Sequence, residues 1–495
     1  MSDAQSIERT PTGINGFDQV ALGGLPAGRS TLVTGSTGSG KTVFAVEFLA
    51  RGVTQFDDPA VFVTFEETPA DIRRNSATLG FAIEQWEAAD KWAFVDASES
   101  IAEEAVVVGT YDFGALAARI DHAVRQVGAK RVSIDSLDAI FTRYPDNSVV
   151  RHQLFRLAAT LEPLGVTSLL TAERTSEYDG VSRYGVEEFA VDNVVTLRNV
   201  LVDGNRRRTV EVVKFRGCPH RTGEWLFTID PQDGVVVIPL AFLTPREHAA
   251  TTRVSSGNAE LDEMCGGGWY QDAIVLLTGP TGAGKTLTSL QFAAAGAAGG
   301  ERCLLYSFDE NREQLVRNAA GWGIDLDALQ TSGLVSVICD YPEVASLEDH
   351  FLRVRRAIEE FTPVRLVIDT LSSLERIATP PALLDFVLAL AGVLRHYEIT
   401  ALLTSATAGR TTPTIATEIA SLADVTIILR YVEQAGEIAR AIAVLQTRGS
   451  AHDPSVRRVT IDADGLHISD RWSHVALDPT EPTLTWTASS RQPPR

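Results

Sequence analysis

Short apolar runs alternate along this chain with stretches of helical period. RSTLVTG (Arg29–Gly35) is a β-rich run that ends in a glycine-rich turn. KTVFAVEFLARGV follows, with Val43, Val46, Phe48 and Leu49 on or near one face, a spacing that predicts a helix with a buried stripe. AVFVTFE (Ala60–Glu66) reads as the next strand. RVSIDS (Arg131–Ser136) is an apolar run closing on an acid, as a buried parallel strand does. Residues 148–164 read as a helix and TSLLTAE (Thr167–Glu173) as a further strand. Strands alternating with helices predict an α/β fold, a parallel sheet covered by helices.

The pattern occurs twice. GSTGSGKT (Gly35–Thr42) returns as GPTGAGKT (Gly279–Thr286), and FVTFEET (Phe62–Thr68) as LYSFDEN (Leu305–Asn311). RVSIDSLDAI (Arg131–Ile140) returns as RLVIDTLSSL (Arg365–Leu374), and EVVKFRG (Glu211–Gly217) as AVLQTRG (Ala443–Gly449). Blocks matched in the same order mark an internal duplication. The expected architecture is two tandem RecA-like P-loop NTPase domains, residues 1–247 and 248–470. A proline and a polar stretch between Pro245 and Val254 mark their junction. Residues 471–495, polar and ending SSRQPPR, are expected to form a flexible tail.

Composition narrows the partners. With 44% apolar and 22% charged residues the chain builds real cores. Its formal net charge of −20 repels nucleic acid and anionic membrane, and no dense basic block overrides that field. Arg206, Arg207 and Arg208 read as a solvated loop after a strand. Cys218, Cys265, Cys303 and Cys339 form no CxxC pair, which argues against zinc or a disulfide framework. MSDAQSIERT lacks the regions of a signal peptide, and no apolar run is long enough to span a bilayer; a cytoplasmic protein is expected.

A strand, then GxxxxGK[ST], then a helix is the context of a phosphate-binding loop. Its glycines let successive N–H groups turn toward phosphates, and the helix N-terminus adds a favourable dipole. Residues Gly38, Ser39, Gly40, Lys41, Thr42 and Val43 are therefore expected to hold ATP, as are Thr281, Gly282, Ala283, Gly284, Lys285 and Thr286. Lys41 and Lys285 would lie against the β- and γ-phosphates, and Thr42 and Thr286 would ligate Mg²⁺. Asp135 and Asp369 end apolar strands, where a carboxylate faces the ligand crevice and suits a Mg²⁺-holding role. The acid pairs Glu66–Glu67 and Asp309–Glu310 follow the second strand of each half and could orient or deprotonate an attacking hydroxyl.

Longer stretches are more specific than the loops: GFDQVALGGLPAGRSTLVTG, VFVTFEETP, RYGVEEF, VTLRNVL, VSSGNAELDEMCGGG and TIILRYVE. Through them the chain resembles the KaiC family of double-domain clock ATPases and autokinases, over about residues 12–470. The resemblance implies homohexamers with ATP in clefts between subunits, a slow ATPase in the first domain, and an autokinase and autophosphatase in the second. It implies that Glu66 and Glu67 are a catalytic pair. Lys214, Phe215, Arg216 and His220 would reach the neighbour's nucleotide, and so would Arg448, Ser450 and His452 in the second domain. Trp322 is implied as a further nucleotide contact. Arg216 and Arg448 would act as trans cations that neutralise charge on the transferred phosphoryl group. A KaiB-like protein is the implied partner.

Three departures stand out. Asp309 replaces the first glutamate of the second pair and is one methylene shorter. Gln446 stands where the family has a lysine. The family's adjacent Ser-Thr acceptors correspond to Ala420 and Ser421, which leaves Ser421 as a single phosphorylation site. Two other readings stay open: a DNA-dependent ATPase on the same core, and a nucleotide-gated scaffold with a silent second domain.

Overall fold

Ser30–Gly35 is buried at every position and forms the strand (β1) around which the first half is built. A strand with no polar face must be covered above and below. The computed structural model describes residues 7–97, 113–141, 147–178, 191–202, 204–238, 250–407, 419–434, 437–472 and 483–485. It divides into two compact units, Met1–Pro239 and Leu240–Arg495. The junction expected at 247/248 and the RYGVEEF stretch lie outside the described residues.

In the first unit β1 is joined by β2 (Ala60–Thr64), β3 (Trp92–Asp96), β4 (Arg131–Asp135), β5 (Thr167–Glu173), β6 (Asn193–Val202), β7 (Asn205–Phe215), β8 (Glu224–Asp230) and β9 (Gly234–Val237). The sheet order is β3-β2-β4-β5-β1-β6-β7-β8-β9. The strands from β3 to β6 are parallel, and the rest continue as antiparallel hairpins. One face packs on the helix Lys41–Phe56 through Phe44, Phe48 and Leu49. The other packs on the helices Phe113–Val127 and Asn147–Leu161 through Leu116, Ile120, Leu154 and Leu157. The result is a three-layer α/β unit.

The second unit repeats this plan with β10 (Ile274–Gly279), β11 (Cys303–Ser307), β12 (Val335–Cys339), β13 (Arg365–Asp369), β14 (Thr400–Ala406), β15 (Val425–Gln434), β16 (Glu437–Thr447), β17 (Arg457–Asp462) and β18 (Gly465–Arg471). Its order is β12-β11-β13-β14-β10-β15-β16-β17-β18, the same path as the first sheet. Both halves are RecA-like in plan: the loop-bearing strand is central, and its helix crosses over to a strand further along the sheet.

Two expectations need correction. Arg206, Arg207 and Arg208 do not lie in a loop; they belong to β7, and Arg206 Nη1 donates to the Asn199 carbonyl at 2.9 Å. Gly204, at φ 85°, makes the hairpin turn so tight that the strand restarts at once. The tail is also not wholly free of structure, because Thr483–Thr485 pairs in parallel with β15 at Tyr431–Glu433. No helix among the described residues is long and apolar enough to cross a membrane.

Candidate active sites

Parallel strands collect their carboxyl ends along one edge, and the chain places its acids there. β1 ends at Gly35, and the helix from Lys41 begins directly after the loop. Gly38 and Gly40 sit at φ 77° and 100°; Gly282 and Gly284 sit at 77° and 118°. These left-handed turns are open to glycine at no steric cost. A Cβ on Gly40 would also stand 2.9 Å from the Ile229 side chain. Ser39 Oγ is buried with no hydrogen-bond partner, an orphaned hydroxyl under the cradle. Ala283 fills the corresponding place in the second loop and is buried.

Each lysine folds back over its own loop. Lys41 Nζ donates to the carbonyls of Gly35 (2.9 Å) and Ser36 (3.1 Å). Lys285 Nζ donates to those of Gly279 (2.8 Å) and Pro280 (3.1 Å). Burial pushes both ammonium groups below their ordinary value, with neighbouring carboxylates opposing it. Beside the first cradle a cavity of about 140 Å³ opens between Thr42, Val43, Val46, Glu67, Ile72 and Leu79.

Thr42 Oγ1 donates to Asp135 Oδ2 at 2.8 Å, and Thr286 Oγ1 to Asp369 Oδ2 at 2.7 Å. Thr171 and Thr404 donate to the other oxygen of each aspartate. Burial raises both carboxyl groups above the usual range. A hydroxyl and a carboxylate in contact form a hard-oxygen donor set that fits Mg²⁺, which takes one or two protein ligands and fills the rest with water and phosphate. Among the described residues no cluster of three or more His, Cys, Asp or Glu side chains could hold a metal without such help.

The acid pairs lie just past β2 and β11. Glu66 Oε1 accepts from Ser136 Oγ at 2.8 Å, and Glu67 Oε2 from Asn75 Nδ2 at 3.1 Å. Glu310 Oε2 accepts from Asn318 Nδ2 at 2.9 Å. Burial raises the carboxyls of Glu67 and Glu310, and the nearby Asp135 and Asp369 push each the same way. Asp309 is exposed, accepts weakly from Ser373 Oγ (3.4 Å) and stands 3.8 Å from Arg376, which is itself paired with Glu343 at 2.8 Å.

The remaining predicted residues, Trp322 apart, lie at the opposite edge of each sheet. Phe215 pairs with Asn193 and Asn193 with Thr31, at the start of β1, whereas the loop leaves from Gly35 at its end. Thr31 to Gly35 is a rise of roughly 13 Å. Arg216 is exposed and 3.4 Å from Asp192. Lys214 Nζ donates to the Val191 carbonyl at 2.9 Å. Phe215 is buried, edge-on to His220, whose Nδ1 is buried with no partner. In the second unit Thr447 pairs with Val425 and Val425 with Val275, again near the start of the loop-bearing strand. Arg448 follows, exposed, with Ser450 held by Arg253 Nη2 at 2.6 Å and His452 half-buried beyond it. Gln446 lies opposite Thr426 in that hairpin. Ser421 is exposed in the turn before β15, on the same edge as Arg448; Ala420 ends the helical turn before it. Trp322 sits in the turn after the helix Arg312–Ala320, half-buried against the core.

Several contacts escaped the sequence reading. Asn75 and Asn318 each stand eight positions after the second acid of their pair, a repeat that a matched comparison of the two halves exposes. Tyr431 Oη donates to the Thr281 carbonyl at 3.0 Å and Arg440 Nε to the Gly282 carbonyl at 3.1 Å, capping the second loop from β15 and β16. Nothing in periodicity marks them.

Comparison with known proteins agrees with this duplicated geometry. The family model described as "ATPase: KaiC" matches residues 10–241 and again 254–473. The chain belongs to the KaiC family. Circadian clock protein KaiC3 of Synechocystis sp. is 47% identical over 475 residues, covering 96% of this chain and 94% of that protein. The circadian clock oscillator protein KaiC of Synechococcus elongatus is 44% identical over 471 residues, covering 95% and 90%. That of Parathermosynechococcus lividus is 45% identical over 472 residues, covering 95% and 87%. KaiC membership makes the chain a nucleotide-binding ATPase of the circadian-clock type.

Proposed function

We propose that this KaiC-family chain is a homohexameric ring ATPase with ATP between subunits, hydrolysing at the first site and transferring phosphate to Ser421 at the second. The observation that carries this reading is the separation within each sheet. Arg216 and Arg448 lie at the edge away from their own phosphate loops, with their charge exposed, so the cradle they serve belongs to another copy. Contacts that join opposite faces of identical subunits close into rings when the rotation between copies closes.

In each cradle the loop N–H groups and Lys41 or Lys285 bind the phosphates. Thr42 with Asp135, and Thr286 with Asp369, would hold Mg²⁺, whose charge shields the phosphate oxygens. At the first site Glu66 and Glu67 orient the attacking water and accept its proton. At the second, Glu310 takes the proton of a neighbour's Ser421 hydroxyl as the Oγ–phosphorus bond forms. The bond to the bridging oxygen breaks and ADP leaves. Arg448 neutralises the developing charge.

A second reading has one specific observation behind it. Asp309 is short and leans toward Ser373 and Arg376, which favours a second half that binds ATP without transferring it. Phosphopeptide mapping after incubation with ATP and Mg²⁺ decides between them. The autokinase reading expects phosphate on Ser421 and none in Ser421→Ala. An unmodified wild-type chain supports the scaffold.

A further inference from the structure

The two phosphate loops are held from behind by opposite charges. In the first, Ser36 Oγ donates to Glu177 Oε1 at 2.5 Å, and Thr37 Oγ1 donates to Glu173 Oε1. Glu177 is fixed in turn, because its Oε2 accepts the Asn199 N–H at 3.2 Å. Glu173 is the last residue of β5, the strand beside β1, and its own N–H is held by Asp138 Oδ2 at 2.5 Å. Its carboxylate cannot drift far, and it acts on the Lys41 ammonium together with Asp135, Asp138 and Glu66.

Among the described residues the second unit has none of this latch. Pro280 and Thr281 take the places of Ser36 and Thr37, Ala406 that of Glu173, and Ser372 that of Asp138. The matching backbone contact survives, since the Ala406 N–H donates to Ser372 Oγ at 3.0 Å, so the frame is the same and the charges are gone. The loop is held instead by the Tyr431 hydroxyl and the Arg440 guanidinium.

We propose that Glu173, latched to Thr37, is a nucleotide-discriminating residue that lowers the preference of the first site for ATP over ADP. The inference rests on the phosphate-site reading above. A triphosphate differs from a diphosphate by the charge added at the lysine end of the cradle, and a carboxylate fixed there repels that increment. Like charges a few ångströms apart in a partly dried site change affinity by about tenfold or more. The first site therefore releases its discrimination to the trans cation, and an isolated subunit holds ATP there little better than ADP.

The test uses the full chain with Lys285→Ala to silence the second site, and measures the affinity of the first for ADP and a non-hydrolysable ATP analogue. Glu173→Gln keeps an acceptor for Thr37 and removes the charge. The expected result is a rise of about tenfold in the ATP-to-ADP affinity ratio, most of it on the triphosphate side. Glu177→Gln, one step further from the lysine, shifts the ratio the same way by less. Circular dichroism checks that each variant is folded, and if Glu173→Gln is not, Glu177→Gln carries the test. Equal shifts for both nucleotides, the mark of a structural role, overturn the proposal. So does an unchanged ratio. If the parent chain binds neither nucleotide at the first site, the phosphate-site reading itself fails, an outcome separate from the other two.

Discussion

Arg448 and Ser421 stand together at one edge of the second sheet, where an Arg448 Nη2 proton is donated to the Ser421 carbonyl oxygen at 2.5 Å. The proposed acceptor and the proposed trans cation therefore meet the same incoming nucleotide. Neither is near Lys285, which lies past the other end of β10. The proposed transfer would then run between copies. Chains carrying Lys285→Ala keep the acceptor but lose their own cradle, and chains carrying Ser421→Ala do the reverse. Mixed and supplied with labelled ATP, the pair should place phosphate on the Lys285→Ala chain. A Lys285→Ala chain left unlabelled in the mixture, while wild type labels under the same conditions, would rule out the trans route.

Asn75 and Asn318 each donate to the half-buried acid of their pair, which favours the ionised carboxylate. Removing the donor raises the carboxyl pKa further, so less base is available at a given pH. Asn75→Ala should slow first-site hydrolysis by about tenfold, equivalent to about 1.4 kcal/mol in the barrier. It should also move the acidic limb of the pH–rate profile to higher pH. A slower enzyme with an unmoved limb would make Asn75 structural only.

The legible part of these sites was local in sequence. A phosphate loop, the lysine that ends it and an aspartate closing a strand are each fixed by a few consecutive residues, and the duplication displayed each of them twice. What sequence could not carry was register. KFRG reads as a strand ending in a bend, and only the pairing of Phe215 through Asn193 to Thr31 puts it at the far edge of the sheet. Asn75 was missed because a helix brings it back to Glu67 across two turns. Arg206–Arg208 were misread because one glycine lets the hairpin reverse without a loop. Tyr431 and Arg440 needed the hairpin β15–β16 to fold over the loop before they had any relation to it.

Glu47 offers a pH test of the first unit. It is buried in the helix that follows the loop, accepts the Val235 N–H at 2.7 Å and pairs with Arg51 at 3.2 Å. Burial pushes its carboxyl from 4.5 up to about 7. The folded chain thus holds this proton more tightly than the unfolded chain. The stabilisation is full below 4.5, is lost as pH rises through about 7, and changes no further above it. The whole span is worth on the order of 3 kcal/mol. Gln291 occupies the matched place in the second unit and cannot titrate. Urea unfolding of wild type should show the first unit losing stability between about pH 4.5 and about pH 7, and Glu47→Gln should remove most of that slope. A variant with the wild-type slope would mean Glu47 is ionised throughout.

The most direct measurement is the nucleotide content of purified chains saturated with ATP and Mg²⁺, read by chromatography after denaturation. Two working cradles predict about two nucleotides per wild-type chain, about one in Lys41→Ala or Lys285→Ala alone, and essentially none in the double variant. Full occupancy in the double variant, or an empty wild-type chain, would contradict the account.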